Sequence, residues 1–351
     1  MKKFIKFPSI EQFRTIVTNI NRTANFVGLD ENGEAIYDPT LPKPVITFKG
    51  TVKLHGTNAG VCGNMIDGIW VQSRKNIITP ESDNAGFAFF VESKKEVFTE
   101  MIAKVFFNNE LDMIDNTVSI YGEWCGQNIQ KGVGISNIDK SFFIFGVKIT
   151  PHDESKSAYW VDYSYLRSES NNIYNIDDYP TYSVEIDFNR PQLVQNTLSD
   201  LTLSVEEECP VAKAFGFDNT IGEGIVWVAE YKGVTHRFKV KGEKHAGKSK
   251  VKTLNKVDDE KINKCIELAE KVTPTWRLEQ MLTETFDLIN GGTLDVKRTG
   301  EYIKSVVSDI VKEETLTISD AGLELKDITK YVSQIAKNYL FQKLNEDSGL
   351  N

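Results

Sequence analysis

Cysteine and histidine are scarce in this chain, and neither clusters. The four cysteines, Cys62, Cys125, Cys209 and Cys265, form no CxxC pair, and only four histidines accompany them. This spacing argues against a zinc site or a disulfide framework and predicts a reducing, intracellular, cytoplasmic setting. No apolar run approaches the roughly 20 residues of a membrane span, so no membrane partner is expected. The start, MKKFIKFPSIEQF, is basic but is not followed by the apolar stretch of a signal peptide. Internal repeats and low-complexity tracts are missing. Positive charge is not in excess either: the net charge is -9, which taken alone argues weakly against a nucleic-acid partner.

What is present is an ordinary globular composition, 40% apolar and 26% charged, over 351 residues, a length that predicts two domains. The charge is uneven. From Lys232 to Lys256 nine basic residues face Glu243 alone, a local net of +8. A phosphate-binding surface needs only such local charge, although a solvated basic linker is the plainer reading of the same run.

Two patterns divide the chain. ITFKGTVKLH alternates, with Phe48, Val52 and Leu54 on one side and Lys49, Thr51, Lys53 and His55 on the other. GIWVQSRK reads as the next strand, pairing with it like a hairpin. VSIYGEW, SFFIFGVKI, GIVWVA and THRFKVK are further strand candidates, and Asp83 to Val105 is more helical. After about Lys250 the period becomes helical: Ile303, Val306, Val307 and Ile310, then Ile328, Tyr331, Val332, Ile335 and Tyr339. Thr273-Pro274-Thr275 marks a helix start and Gly291-Gly292 a stop. The expected architecture is α+β, an antiparallel-β domain over 1–250 followed by a small all-α domain over 255–351. Residues 153–205 are polar and ambiguous.

Several short stretches carry candidate chemistry. In KLHGTN, Lys53 and His55 share a face, and Gly56 lets the backbone turn and approach a ligand closely. A lysine amine is a nucleophile when desolvation or neighbouring cations lower its pKa; otherwise it is a surface lysine at a strand end. Glu123 in YGEWCG suits a ribose hydroxyl or a metal-bound water, or is simply a strand-end carboxylate in a turn. FFIFG places Phe143 and Phe145 on one face and Phe142 and Ile144 on the other, so the strand is either a base-stacking platform or doubly buried core. Glu223 directly precedes a strong strand. Arg237, Lys239 and Lys241 share one face of RFKVK, where adjacent cations repel unless an anion lies between them; the alternative is a protected edge strand. Together the set is an inventory for nucleotidyl transfer, which is chiefly positioning and charge neutralisation.

KLHGTN, SRK, YGEWCG, FFIFG, EGIVW and FKVK follow the order of the covalent nucleotidyltransferases, and the chain resembles the RNA ligase 2 family of phage RNA ligases and trypanosome editing ligases. KxHGTN is the discriminating feature, since DNA ligases and capping enzymes usually carry KxDG. The resemblance implies an antiparallel-β nucleotidyltransferase (ATP-grasp-like ligase) domain with a helical accessory domain. It implies an ATP-dependent RNA ligase, using Mg²⁺ or Mn²⁺, that seals 3′-OH/5′-phosphate ends, chiefly nicks in duplex RNA, as in RNA repair. On it Lys53 carries AMP covalently, Glu123 binds the ribose, Phe145 stacks on adenine, and Glu223 supports metal and nucleotide, with Glu123 as a second metal contact. Lys239 and Lys241 contact phosphates. Arg74 contacts the AMP phosphate and the 5′-phosphate strand, His55 and Asn58 assist transfer and positioning, and the backbone at Thr51 and Val52 reads the adenine edge. The resemblance further implies an RNA partner, a monomer, and the host-cell cytoplasm if a phage encodes it. The alternatives are a nick-sealing DNA ligase or guanylyltransferase, or a protein that binds nucleotides or RNA ends without turnover. Two departures stand out. Val52 replaces the acidic residue that often precedes the nucleophile, and Gly146 replaces the aspartate that often follows the stacking phenylalanine and could orient Arg74.

Overall fold

The computed structural model describes residues 2–245 and 258–347. Its strands are β1 (Phe26–Leu29), β2 (Ala35–Tyr37), β3 (Val45–Val52), β4 (Thr57–Asn64), β5 (Gly68–Ser73), β6 (Ile77–Ile78), β7 (Asn116–Cys125), β8 (Ser141–Pro151), β9 (Tyr159–Val161), β10 (Ile173–Asn175), β11 (Thr181–Asp187), β12 (Gly224–Tyr231) and β13 (Val234–Lys241). Its helices are α1 (Phe13–Asn25), α2 (Phe87–Ser93), α3 (Lys95–Asn108), α4 (Gln195–Glu207), α5 (Pro210–Ala214), α6 (Asp259–Val272), α7 (Thr275–Phe286), α8 (Thr299–Asp320) and α9 (Leu325–Asp347). The class is α+β, with mainly antiparallel sheets and a C-terminal helical region. The described residues divide into two compact units, one drawn from within Met1–Ile16, Ile46–Ile186 and Asn196–Asn255, the other from within Val17–Val45, Asp187–Gln195 and Lys256–Asn351.

The first unit holds two sheets. Seven strands form one, in the order β10-β8-β7-β4-β5-β6 with β9 added to β8, and four form the other, β11-β3-β12-β13. The large sheet buries one face against α2 and α3, where Val61, Val118, Ile120 and Ile144 meet Phe87, Phe98 and Val105. Alternation in β3 follows the sequence pattern: Ile46, Phe48 and Val52 are buried while Lys49 and Thr51 point the other way.

One expected pairing is corrected. β5 makes its hairpin with β4, and β3 pairs instead with β12 in the other sheet. The chain changes sheets through Lys53–Gly56, which lies outside both strands. Gly56 makes this crossing tight, because a Cβ there would meet the Trp124 carbonyl oxygen at 2.3 Å. No local pattern announces such a switch: β3 alternates between buried and open positions, whereas β4 is buried along most of its length.

The second unit's core is built from α6 to α9. Leu278, Phe286, Tyr302, Val306, Ile310, Ile328, Val332 and Leu340 are buried together. The face of α8 centres on Tyr302, Val306 and Ile310, with Ile303 and Val307 packed at its flank. α7 begins at Thr275 after Pro274, and Gly291 adopts a left-handed φ of 85° soon after it ends. Residues 153–205, silent in sequence, supply β9, β10, β11 and α4. Of the basic run 232–256, Lys248, Lys250, Lys252 and Lys256 lie outside the described residues. No described helix is long and apolar enough to cross a membrane.

Candidate active site

The first unit contains a cleft of about 660 Å³ whose walls are contributed by both sheets. One wall is the outward face of β3, β12 and β13. Cross-strand register sets its side chains in rows: Thr51, Val226 and Lys239 in one, and Lys49, Val228 and Arg237 in the next. The opposite wall carries Asn58 from β4, Glu123 from β7, and Phe143 and Phe145 from β8. Alternation makes such a wall because residues two apart on a strand share a face.

Lys53 and Glu223 meet at one end. Lys53 is one residue beyond β3, and its N–H donates to the Gly224 carbonyl at 2.8 Å. Gly242 donates to the Glu223 carbonyl at 3.1 Å, so main-chain bonds clamp Glu223 beside both lysine-bearing segments. The Glu223 side chain is 1% exposed. Its Oε2 accepts from Lys53 Nζ at 2.7 Å and lies 3.2 Å from His55 Nδ1, while Oε1 is 2.6 Å from Lys241 Nζ. Burial alone would raise the pKa of this carboxyl, but His55, Lys53 and Lys241 outweigh it and hold the group well below the usual carboxylate range.

Positive charge exceeds what Glu223 can match. Among the described residues no carboxylate is within ion-pair distance of Lys239. Its pKa is lowered by burial and then by the neighbouring charges of Lys53, Lys241 and Arg74. Arg74, exposed in the turn after β5, lines the same cleft. At Gly146 the neighbour is an indole, and a Cβ would come 3.1 Å from Trp160.

Glu123 is partly buried opposite Asn58 in the β4–β7 register and accepts from the Gly56 N–H at 2.9 Å. Burial pushes its carboxyl up to about 7, against the pull of Lys53. Phe143 and Phe145, which share the cleft-facing side of FFIFG, differ in burial. Phe143 is fully buried and stacked on Tyr174 at 5.2 Å, whereas Phe145 is half-buried with its edge on Phe7 at 5.2 Å. The β7–β8 register skips Phe145, since Tyr121 pairs with Gly146 and Gly122 with Ile144. Such an irregularity re-aims a side chain. The structure thus gathers Thr51, Val52, Lys53, His55, Asn58, Arg74, Glu123, Phe145, Glu223, Lys239 and Lys241 around one cleft.

Other cleft residues carried no decisive sequence signal. Phe7 and Trp160 pack edge to face at 5.6 Å, and no pattern ties these distant positions together. Outside the cleft lining, His245 lies 5.8 Å from the His55 ring and 3.8 Å from Glu206. Among the described residues no three His, Cys, Asp or Glu side chains converge as a metal cage. The donor set of Glu223 and Glu123 instead fits a hard divalent ion that takes its other ligands from phosphate and water.

Comparison with curated protein sequences gives no match. Among solved structures the chain is similar to Naegleria gruberi RNA ligase with pyrophosphate, at 16% identity and a TM-score of 0.42, covering 71% of this chain and 59% of that one. A lysine-to-methionine mutant of the same ligase with AMP and manganese gives 16%, 0.43, 71% and 60%. A lysine-to-alanine mutant with ATP and manganese gives 17%, 0.41, 70% and 58%. The chain therefore spans about 60% of the length of the structures it matches. A family model described as RNA ligase matches residues 46–241, a stretch that runs from β3, ahead of Lys53, to Lys241 and includes every residue of the Lys53–Glu223–Lys241 cluster. That match takes in more than half of the chain, and on it this protein belongs to the RNA ligase family.

Proposed function

We propose that this protein is an ATP-dependent RNA ligase that joins 3′-hydroxyl and 5′-phosphate ends, chiefly at nicks in duplex RNA. The observation that carries the reading is the charge imbalance at Glu223. One buried carboxylate serves Lys53 and Lys241, while Lys239 and Arg74 stand beside them with no carboxylate at ion-pair distance among the described residues. A polyphosphate supplies the missing negative charge.

In the first step the Lys53 amine, having lost a proton to solvent, attacks the α-phosphorus of ATP. An N–P bond forms, the P–O bond to pyrophosphate breaks, and Lys53 carries AMP. Lys239 and Lys241 neutralise phosphate charge, Phe145 stacks on the base, and Glu123 holds the ribose. AMP then passes to the RNA 5′-phosphate, and a 3′-hydroxyl displaces it to form the phosphodiester. His55 and Asn58 position the transferring group, Arg74 meets the 5′-phosphate strand, and the backbone at Thr51 and Val52 faces the base. A bound Mg²⁺ or Mn²⁺, held by Glu223 with Glu123, would neutralise phosphate charge. Residues 1–250 serve as the adenylyltransferase domain and 255–351 as an accessory domain for duplex RNA. The protein works as a monomer in the cytoplasm, a setting with which its four buried free cysteines agree.

The test is incubation with α-labelled ATP and Mg²⁺. Label that survives denaturation, is acid-labile and base-stable, is discharged by pyrophosphate and maps to Lys53 supports the reading. If intact mass shows AMP-free protein that neither ATP nor GTP labels, the protein only binds ends or nucleotides. GTP labelling, or sealing restricted to DNA nicks, would favour a guanylyltransferase or DNA ligase instead.

A further inference from the structure

The C-terminal end of α4 packs against the backbone on both sides of the Glu223–Lys241 pair, and two glycines make the approach possible. Gly222 directly precedes Glu223, and a Cβ there would lie 2.3 Å from the Val205 carbonyl oxygen. Gly242 directly follows Lys241, and a Cβ there would lie 2.2 Å from Glu206 Oε1 and 2.3 Å from its Cδ. Neither Val205 nor Glu206 lines the cleft, so this contact reaches the site through main chain rather than through substrate.

Glu206 is the charged member of the contact. It is 5% exposed. Its Oε1 accepts from the Lys244 N–H at 2.7 Å and lies 3.8 Å from His245 Nδ1. Lys244 and His245 belong to the short turn Glu243–His245 after β13, and the His245 N–H donates back to the Gly242 carbonyl at 3.2 Å. On its other side the Gly242 N–H donates to the Glu223 carbonyl at 3.1 Å. Gly242 is thus gripped between the Glu206 carboxylate and the Glu223 main chain, one residue from the ammonium that meets Glu223 Oε1 at 2.6 Å. A buried carboxylate is a poor source of stability, since an apolar side chain of similar size does as well or better. What it adds is direction: a charge-assisted bond to one N–H fixes where the turn lies.

We infer that Glu206 is a positioning residue for the attachment of AMP to Lys53: through Gly242 and the Lys244 N–H it sets the place of the Lys241 ammonium beside Glu223 and Lys53. This rests on the ATP-dependent reading above and gives α4 a task in it. Lysine carries its charge on a flexible stem, so its aim depends on a backbone that does not move. A misplacement on the order of 1 Å reduces a rate by as much as about 100-fold. Phe145 and Glu123 belong to the large sheet, so the hold on base and ribose does not pass through this turn. The loss should therefore fall on the rate from bound ATP rather than on its KM.

The test is single-turnover labelling by α-labelled ATP and Mg²⁺ in the wild type, Glu206→Ala, Glu206→Gln and Gly242→Ala. In Glu206→Ala and Gly242→Ala the rate from bound ATP should fall about tenfold or more, with KM within about threefold and the final labelled fraction equal to wild type. Glu206→Gln keeps the acceptor and the shape, and should stay within about threefold of wild type. A wild-type rate in Glu206→Ala overturns the inference. So does a loss confined to the labelled fraction, which would mean that Glu206 only keeps the protein folded. A higher KM at unchanged rate, or a Glu206→Gln protein as slow as Gly242→Ala, overturns it too, the second because charge and not placement would then matter. If Glu206→Ala does not fold, Glu206→Gln against Gly242→Ala carries the same decision. A wild type that takes no label sinks the ligase reading and this inference with it, whereas a labelled wild type with unaffected variants sinks this inference alone.

Discussion

Lys53 and Glu223 are 170 residues apart in the chain, and their side chains meet at 2.7 Å. The pair forms because β3 and β12 are neighbours whose ends are tied by the Lys53 N–H to the Gly224 carbonyl. Glu223 holds Lys53, His55 and Lys241 at once, so removing different members has different costs.

Replacing Lys53 with Ala is expected to abolish nucleotide attachment with only a small loss of stability, because Glu223 keeps Lys241 and His55 as partners. Glu223→Gln should also fail to turn over, and it should lose more stability, on the order of 3 kcal/mol, because it leaves partly buried cations without a counter-charge. Urea unfolding of both variants, with labelling by α-labelled ATP, checks this. A Lys53→Ala protein that still takes label at another residue would falsify the nucleophile assignment.

The Gly56 crossing gives a steric prediction. A methyl group there would sit 2.3 Å from the Trp124 carbonyl oxygen, an atom of the rigid large sheet. Gly56→Ala should cost about 2 kcal/mol or more. It should also disturb the hydrogen bond from Gly56 to Glu123, and labelling should fall with stability. A variant that matches wild type in both assays would show that the crossing relaxes freely.

Glu123 gives a pH signature. Its folded pKa is raised to about 7 from an ordinary 4.5. A raised pKa means that the folded state binds the proton more tightly than the unfolded chain. The associated stability is present in full below about pH 4.5 and is lost as pH rises to about 7. The melting temperature of wild type relative to Glu123→Gln should therefore decline across that window. A difference that stays flat with pH would mean Glu123 titrates normally.

Removing residues 255–351 should separate two activities. The Lys53, Glu223 and Lys241 cluster lies within the first unit, so a folded truncated protein should still take label from ATP. Residues 17–45 share the second unit with the deleted helices, and the deletion takes away the hydrogen bond that Asn345 donates to Asp38. The truncation should thus lower the melting temperature and impair nick sealing. Normal sealing by the truncated chain would remove the accessory role proposed for the helices.

Much was readable in the sequence because it is local. Alternation in β3 and β13 fixes which side chains share a face, and that depends only on a two-residue repeat. The α8 and α9 faces follow from the helical period in the same way. The six motifs carried the family because each is a short string whose residues stay neighbours when folded. Tertiary structure alone decided the rest. It showed that β3 leaves its expected hairpin for a second sheet, because strand partners are chosen by packing that no single strand encodes. It buried Phe143 against Tyr174 and left Phe145 half-buried on the same cleft wall, since those packing partners come from distant segments. It brought Phe7, Trp160 and Arg237 together in the cleft, from positions as much as 230 residues apart. Contacts between residues far apart in the chain arise only when the chain is closed into its sheets, and no sequence period records them.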